Sequence, residues 1–275
     1  MQSIKYHRSL LVCLLLFWSV EVNAARIVSC NGTLSEIVAG LGLAGELVGV
    51  DVTSTYPESL HNLPKIGHNR SFNAEGILAL RPNVLIYSDQ SPVSANVLQQ
   101  LRASGIAIVA FKQQYTKAGT IALIRAVGRY FKKSKEAEKM VAELEKSLKT
   151  VMKPTKPKKL LFIYARGTGT LMVAGQETSL DEIFTLTGHQ NAVQGFSDFK
   201  PLTAESLVMA NPDVLVLFDS GLQSLEGPEG LLKIPGVSAT NAGKNKKIVS
   251  MDGQLLTGFG PRLGQAAMEL SQKIE

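Results

Sequence analysis

Short contiguous apolar runs alternate along this chain with stretches whose apolar positions recur at helical spacing. The runs at 26–29, 47–51, 106–111, 160–165, 171–174 and 247–250 read as strands, several rich enough in Val, Ile and Leu to be buried on both faces. Between them, Thr33-Leu-Ser-Glu36 has capping-box spacing ahead of a helix closed by Gly40 and Gly42. Further helices are expected near 92–104, stopped by Gly105, from 178–180 to Gly188, and after Gly258-Phe-Gly-Pro-Arg262. Strands that alternate with helices in this way predict parallel sheets and an α/β fold.

Two segments nearly repeat each other. Asn73-Ala-Glu-Gly-Ile-Leu-Ala-Leu-Arg-Pro-Asn-Val-Leu-Ile86 and Thr203-Ala-Glu-Ser-Leu-Val-Met-Ala-Asn-Pro-Asp-Val-Leu-Val216 both read as polar N-cap, first-turn glutamate, short helix stopped by Pro, then a buried strand. One copy in each half predicts two α/β lobes with a cleft between them, a common place for a ligand. From 118 to 152 there is no Pro, and Leu123, Val127, Met140, Val141, Leu144 and Leu148 keep helical spacing. The simplest reading is one long helix over 118–152 between a lobe at 25–117 and a lobe at 153–275. Two packed helices broken near Ser134 are the alternative.

The first 24 residues pair a basic start (Lys5, His7, Arg8) with an apolar stretch and a small-residue cleavage site ending at Ala24, the pattern of a secretory signal peptide. The apolar stretch is about half the ~20 residues that span a bilayer, so a soluble exported product is expected, located in the periplasm. Cleavage leaves Cys30 as the single cysteine and excludes an internal disulfide. Its place beside a strand suits a small buried hydrophobe. Lysine clusters at 153–159 and 244–247 are broken by Pro or Gly and read as solvated turns rather than a nucleic-acid surface.

No nucleophile with a base, paired carboxylates, HExxH motif or cysteine pair marks an enzyme. Arg166-Gly-Thr-Gly169 lacks the Lys-Ser/Thr of a phosphate loop and reads as a glycine turn lining the cleft. His68 stands out: it lies in a polar loop between Gly67 and Asn69, and neutral imidazole is a good ligand for iron, zinc or copper. Arg70, two residues on, offers a charge-assisted donor.

Gly67-His68-Asn69-Arg70 followed by Asn73-Ala-Glu-Gly76, the run Met172-Val-Ala-Gly175, Leu231-Leu-Lys-Ile-Pro-Gly236 and above all Gly258-Phe-Gly-Pro-Arg262 resemble the periplasmic haem-binding proteins of bacterial haem-uptake ABC importers, from about Arg26 to the C-terminus. The resemblance implies two Rossmann-like lobes joined by one long helix, the helical-backbone (cluster A, class III) periplasmic binding fold. It implies haem b in the cleft as cargo, no catalysis, a monomer, and delivery to an inner-membrane ABC permease dimer with its ATPase. The family places a tyrosine ligand where this chain has His68, with the arginine at Arg70 retained. His68 is therefore the expected iron ligand, with Tyr56 the alternative. A neutral imidazole, unlike tyrosinate, does not offset the charge of ferric iron. The turn at 166–169 carries no histidine for a second haem.

Haem is a flat apolar disc with two propionates, so its site needs apolar walls and a cation at the rim. Arg70, Arg166 and Arg262 are the candidate cations, and Phe72, Met172 and Phe259 the candidate walls. Glu75 and Glu205 hold matching places on the two lobes, where the helix dipole favours a carboxylate by ~0.3–1 kcal/mol. In related importers such acids dock onto the permease. A ferric-siderophore or cobalamin carrier is the rival in the same class, and an exported enzyme the rival outside it.

Overall fold

The computed structural model describes residues 25–68, 71–169 and 171–275. The expected signal peptide and Arg70 lie outside the described residues. None of the helices described is long and apolar enough to cross a membrane.

In the first lobe, strands β1 (Ile27–Ser29), β2 (Leu47–Val50), β3 (Val84–Ser88) and β4 (Ala107–Phe111) form a parallel sheet in the order β2-β1-β3-β4. Helices α1 (Gly32–Val38), α2 (Ala74–Ala79) and α3 (Ala95–Ala103) connect them. The second lobe holds β5 (Lys159–Ala165), β6 (Leu171–Ala174), β7 (Gln190–Asn191), β8 (Phe199–Pro201), β9 (Val214–Phe218) and β10 (Ile248–Met251). Its sheet runs β10-β9-β5-β6-β8, with β7 against the start of β5; β6 and β8 are antiparallel to their neighbours and the rest are parallel. Its helices are α6 (Ser179–Leu186), α7 (Ala204–Ala210), α8 (Asp219–Ser224), α9 (Pro228–Leu232), α10 (Asn241–Lys244), α11 (Gly253–Thr257) and α12 (Leu263–Ile274). The two repeat copies form α2-β3 and α7-β9, and each strand sits inside its sheet. At both helix ends the residue before proline, Arg81 or Asn211, takes a positive φ (47° and 40°) that turns the chain into the strand.

The segment between lobes departs from the single long helix and takes the alternative, two packed helices broken just before Ser134. It is a hairpin of α4 (Lys117–Tyr130) and α5 (Ser134–Leu148), with the chain reversing through Lys132 at φ 56°. Arg125 pairs with Glu138 (2.8 Å) and Lys117 with Glu145 (3.8 Å), so the two helices run antiparallel. The reason is burial. A straight helix over the whole span would be ~50 Å long and would carry half its apolar positions away from the protein, whereas the hairpin lets Leu123, Ile124 and Val127 of α4 join Ala137, Met140, Val141 and Leu144 of α5 in one core. That core also takes in Ile27, Leu34 and Ile37 of the first lobe and Phe162, Phe184 and Val216 of the second, so the lobes share their interior.

A second device joins the lobes on the polar side. The segment 254–262 turns back onto α1 and α4: the Gly258 carbonyl accepts hydrogen bonds from Thr33 Oγ1 (2.6 Å) and Gln113 Nε2 (2.9 Å), and the Phe259 carbonyl accepts from Thr120 Oγ1 (3.0 Å). A Cβ on Gly258 would stand 2.5 Å from the Gln254 carbonyl, so the turn requires glycine there. Glu36 then receives Arg262 in a two-pronged ion pair, Nε to Oε1 at 3.0 Å and Nη2 to Oε2 at 2.9 Å, both side chains largely out of water. This corrects the capping box read at Thr33–Glu36. Asn31 caps α1, accepting from the Leu34 amide, while Thr33 and Glu36 face the other lobe.

Two substitutions test these joints. Gly128 faces Ala137 across the hairpin, where an added Cβ would come within 2.4 Å of the Ala137 Cβ. Gly128→Ala should therefore destabilise the fold by ~1–3 kcal/mol in urea unfolding; in one straight helix the same change would stabilise by up to ~1 kcal/mol. Arg262→Ala strands a buried carboxylate and should cost ~3–5 kcal/mol, whereas Arg166→Ala at an exposed position should stay within ~0.5 kcal/mol.

Candidate functional site

Parallel α/β sheets present their ligand sites at the carboxyl ends of their strands. Here those ends face each other. Thr53 and Thr55, just past β2, and Phe218, at the end of β9, with Asp252, Gln254 and Thr257, past β10, line one cavity of about 280 Å³ between the lobes. The loop carrying His68 returns alongside β2, where the Ile66 amide donates to the Val50 carbonyl and the Val52 amide to the Gly67 carbonyl, each at 3.0 Å. His68 thus stands at the cleft end of the first sheet. The Ser71 amide and hydroxyl donate to its carbonyl, and its exposed imidazole bonds no described residue.

The other two histidines of the described chain are engaged. His61 Nε2 bonds the Thr55 carbonyl at 2.7 Å. His189 is buried and its Nδ1 accepts from the Lys158 amide; burial, then the Lys158 and Lys153 charges, hold its pKa below the usual imidazole value. Cys30 is buried, and burial followed by the Asp51 charge pushes its thiol well above the ordinary range, so it packs as a hydrophobe. Among the described residues no three His, Cys, Asp or Glu side chains converge as a metal site.

The second lobe contributes a wall of which the sequence reading named Met172 and missed Tyr164 and Phe218. Met172, Tyr164 and Phe218 are cross-strand neighbours on β6, β5 and β9, each half-buried. They share the sheet face turned to the first lobe, since Phe162 lies in the common core while Leu161 and Ile163 pack behind. The Tyr164 and Phe218 rings meet edge to face at 6.2 Å, Phe162 lies 4.7 Å from Phe218, and Phe199 is 39% exposed beside them. Arg166 follows Tyr164 out of the strand, exposed, with its guanidinium 5.8 Å from the Tyr164 ring centre. The signal for this wall was the alternation Leu160-Leu-Phe-Ile-Tyr-Ala165, which puts Phe162 and Tyr164 on one face.

The remaining expected residues are placed elsewhere. Phe259 is 1% exposed, with its ring edge-on to Tyr115 at 5.7 Å, and Phe72 is buried with Ile77 and Leu85 under α2. Both are core residues rather than cleft walls. Arg262 is committed to Glu36, whose carboxyl is pushed up by burial and drawn back by the guanidinium. Tyr56 is half-exposed under that same guanidinium, 3.8 Å from its ring centre. Glu75 and Glu205 stand exposed in the first turns of α2 and α7, behind the N-caps Asn73 and Thr203. Each helix runs antiparallel to the strand it feeds, so both acids lie toward the cleft end, one per lobe.

Known proteins share this architecture. Residues 27–255 match the family model for periplasmic binding proteins. Among solved structures, the periplasmic heme-binding protein RhuT from Roseiflexus sp. RS-1 in apo form is 37% identical, with a TM-score of 0.87 over 91% of this chain and 98% of that one. The periplasmic heme-binding protein BhuT in complex with two hemes is 32% identical, with a TM-score of 0.86 over 90% and 97%. Among curated proteins, the ABC transporter substrate-binding lipoprotein YvrC of Bacillus subtilis is 26% identical over 93% of this chain and 82% of its own length. The vitamin B12-binding protein of Yersinia pseudotuberculosis is 25% identical over 97% and 92%. With two linked α/β lobes, a cleft at their strand ends and a family match across most of its length, the chain belongs to the periplasmic binding proteins.

Proposed function

We propose that this protein captures haem in the cleft between its lobes and delivers it to an ABC importer of the inner membrane, acting as a carrier rather than an enzyme. The observation that carries the reading is the pairing of an exposed imidazole that bonds no described residue on one lobe with an aromatic wall on the other. Met172, Tyr164 and Phe218 offer a flat, half-buried apolar surface for a porphyrin face. Arg166 stands at the rim of that wall, where a guanidinium pairs with a propionate. His68 supplies a neutral nitrogen donor from the first lobe, and the Tyr164 phenol is the matching oxygen donor on the second. Arg70, two residues beyond His68, adds a second cation. Tyr56, given its place under Arg262, is the weaker candidate for iron.

Likeness to solved haem-binding proteins at 32–37% identity supports haem over cobalamin, for which the curated relative is 25% identical. Cobalamin also brings its own axial ligands and asks for no protein donor. The cargo carries the metal here; the protein holds it, orients it and screens one face from water. The pattern of residues 1–24 supports export to the periplasm. Glu75 and Glu205, one exposed carboxylate per lobe, suit a permease dimer with one basic site per subunit, and such rim charges act mainly on encounter rate.

Ferric haem titrated into the wild type should give saturable one-to-one uptake with a shifted Soret band. His68→Ala and Tyr164→Phe should each alter that band, and Arg166→Ala should weaken binding by roughly 10- to 100-fold, the worth of one charge-assisted hydrogen bond, without moving it. Wild-type spectra in both ligand variants would refute the assignment, and stoichiometric uptake of cobalamin instead of haem would refute the cargo. Replacing Glu75 and Glu205 by Ala should slow docking to the importer several-fold at low salt and less at high salt, read as stimulated ATPase activity, with haem affinity unchanged.

A further inference from the structure

Among its described residues, the loop at 51–73 that carries His68 holds no α-helix or strand, only a short 3-10 turn at Glu58–Asn62. Its outgoing limb is tied to its return limb at three places. Lys65 Nζ donates to the carbonyls of Leu60 (2.9 Å) and Ser54 (3.2 Å), His61 Nε2 bonds the Thr55 carbonyl, and the Val52 amide donates to the Gly67 carbonyl. These ties make the loop move as a unit, so whatever fixes Ser54, Thr55 and Tyr56 also fixes the limb that ends in His68.

Tyr56 is where the second half of the chain reaches this unit. Arg262 opens α12, which packs on the second lobe and on α5. Its guanidinium is pinned edge-on by both oxygens of buried Glu36, and the face left open lies 3.8 Å from the Tyr56 ring centre, well inside the ~6 Å reach of a cation–π contact. A flexible side chain could not hold a loop; one whose plane is fixed by two hydrogen bonds can.

We propose that Arg262 is a positioning residue for the iron donor. Held by Glu36, it clamps the Tyr56 ring and so sets where the His68 loop stands against the wall of the other lobe. The proposal rests on the haem reading for its consequence but not for its mechanics. It assigns Arg262 no contact with the cargo, and it assigns Tyr56 a role for its ring rather than its oxygen.

The test compares Tyr56→Phe, Tyr56→Leu and Arg262→Lys in the full protein, by amide hydrogen exchange without ligand and by haem absorbance. A cation–π contact of this kind corresponds to roughly 2- to 30-fold in the opening equilibrium. Exchange at Val52 and Ile66 should therefore quicken by that factor in Tyr56→Leu, with β3 and β9 unaffected, and at least as much in Arg262→Lys, where the two-pronged pair with Glu36 is also lost, and haem affinity should fall alongside with a perturbed Soret band. Tyr56→Phe keeps the ring and should match the wild type in both measurements. Unchanged exchange in Tyr56→Leu would overturn the clamp, and so would Tyr56→Phe behaving like Tyr56→Leu, which would give the phenol oxygen the role. Should Arg262→Lys unfold, Tyr56→Leu decides alone, because it leaves the ion pair intact. Should the wild type take up no haem, the cargo reading fails while exchange in the ligand-free protein still judges the clamp.

Discussion

One turn of backbone holds this molecule in its working shape. At Gly258 and Phe259 two carbonyls point out of the second lobe and receive three side-chain donors, Thr33 and Gln113 from the first lobe and Thr120 from α4 of the hairpin. To make that turn, Phe259 adopts φ 48°, a region that costs a bulky residue on the order of 1–3 kcal/mol. Burial of its ring against Tyr115, together with the carbonyl hydrogen bonds, offsets that cost. The strain persists because the surroundings determine it from both lobes at once.

The shared core has the same effect on the apolar side. Residues of both sheets, of the α4-α5 hairpin and of α12 pack into one cluster, so although each lobe keeps a core on its outer side, the shared side would be laid open if one lobe swung away from the other. The cleft above is thus framed by two walls whose separation is built in: the His68 loop on one side, and Met172, Tyr164 and Phe218 on the other. A carrier of a flat, rigid cargo gains from such a frame, since binding does not spend energy on closing the lobes.

The architecture was largely legible in the sequence because it rests on local signals. The duplicated helix-strand units could be read from a cap, a glutamate and a proline, and both fold as read, α2-β3 and α7-β9. What could not be read depends on partners distant in sequence. Thr33 and Glu36 have capping-box spacing, but their use is decided by residues 258 and 262. Phe259 and Phe218 are both aromatic residues near glycine, and only the tertiary fold sends one into the core and the other to the cleft. The break near Ser134 was open in the sequence as the alternative to one long helix, but no proline or glycine at 131–133 decided for it, because the reversal is imposed by the common core rather than by the local chain. His68 was legible for the opposite reason: a polar loop offered nothing to bury it, and the structure leaves its imidazole exposed.

The account stands most directly on the structure of the protein crystallised with ferric haem and compared with the ligand-free form. It predicts porphyrin seated between the His68 loop and the face of Met172, Tyr164 and Phe218, His68 bonded to iron, and the two lobes superposing as one body before and after loading. A cleft without haem, iron held wholly by other side chains, or a rigid-body rotation of one lobe against the other that breaks the Gly258 hydrogen bonds would contradict it.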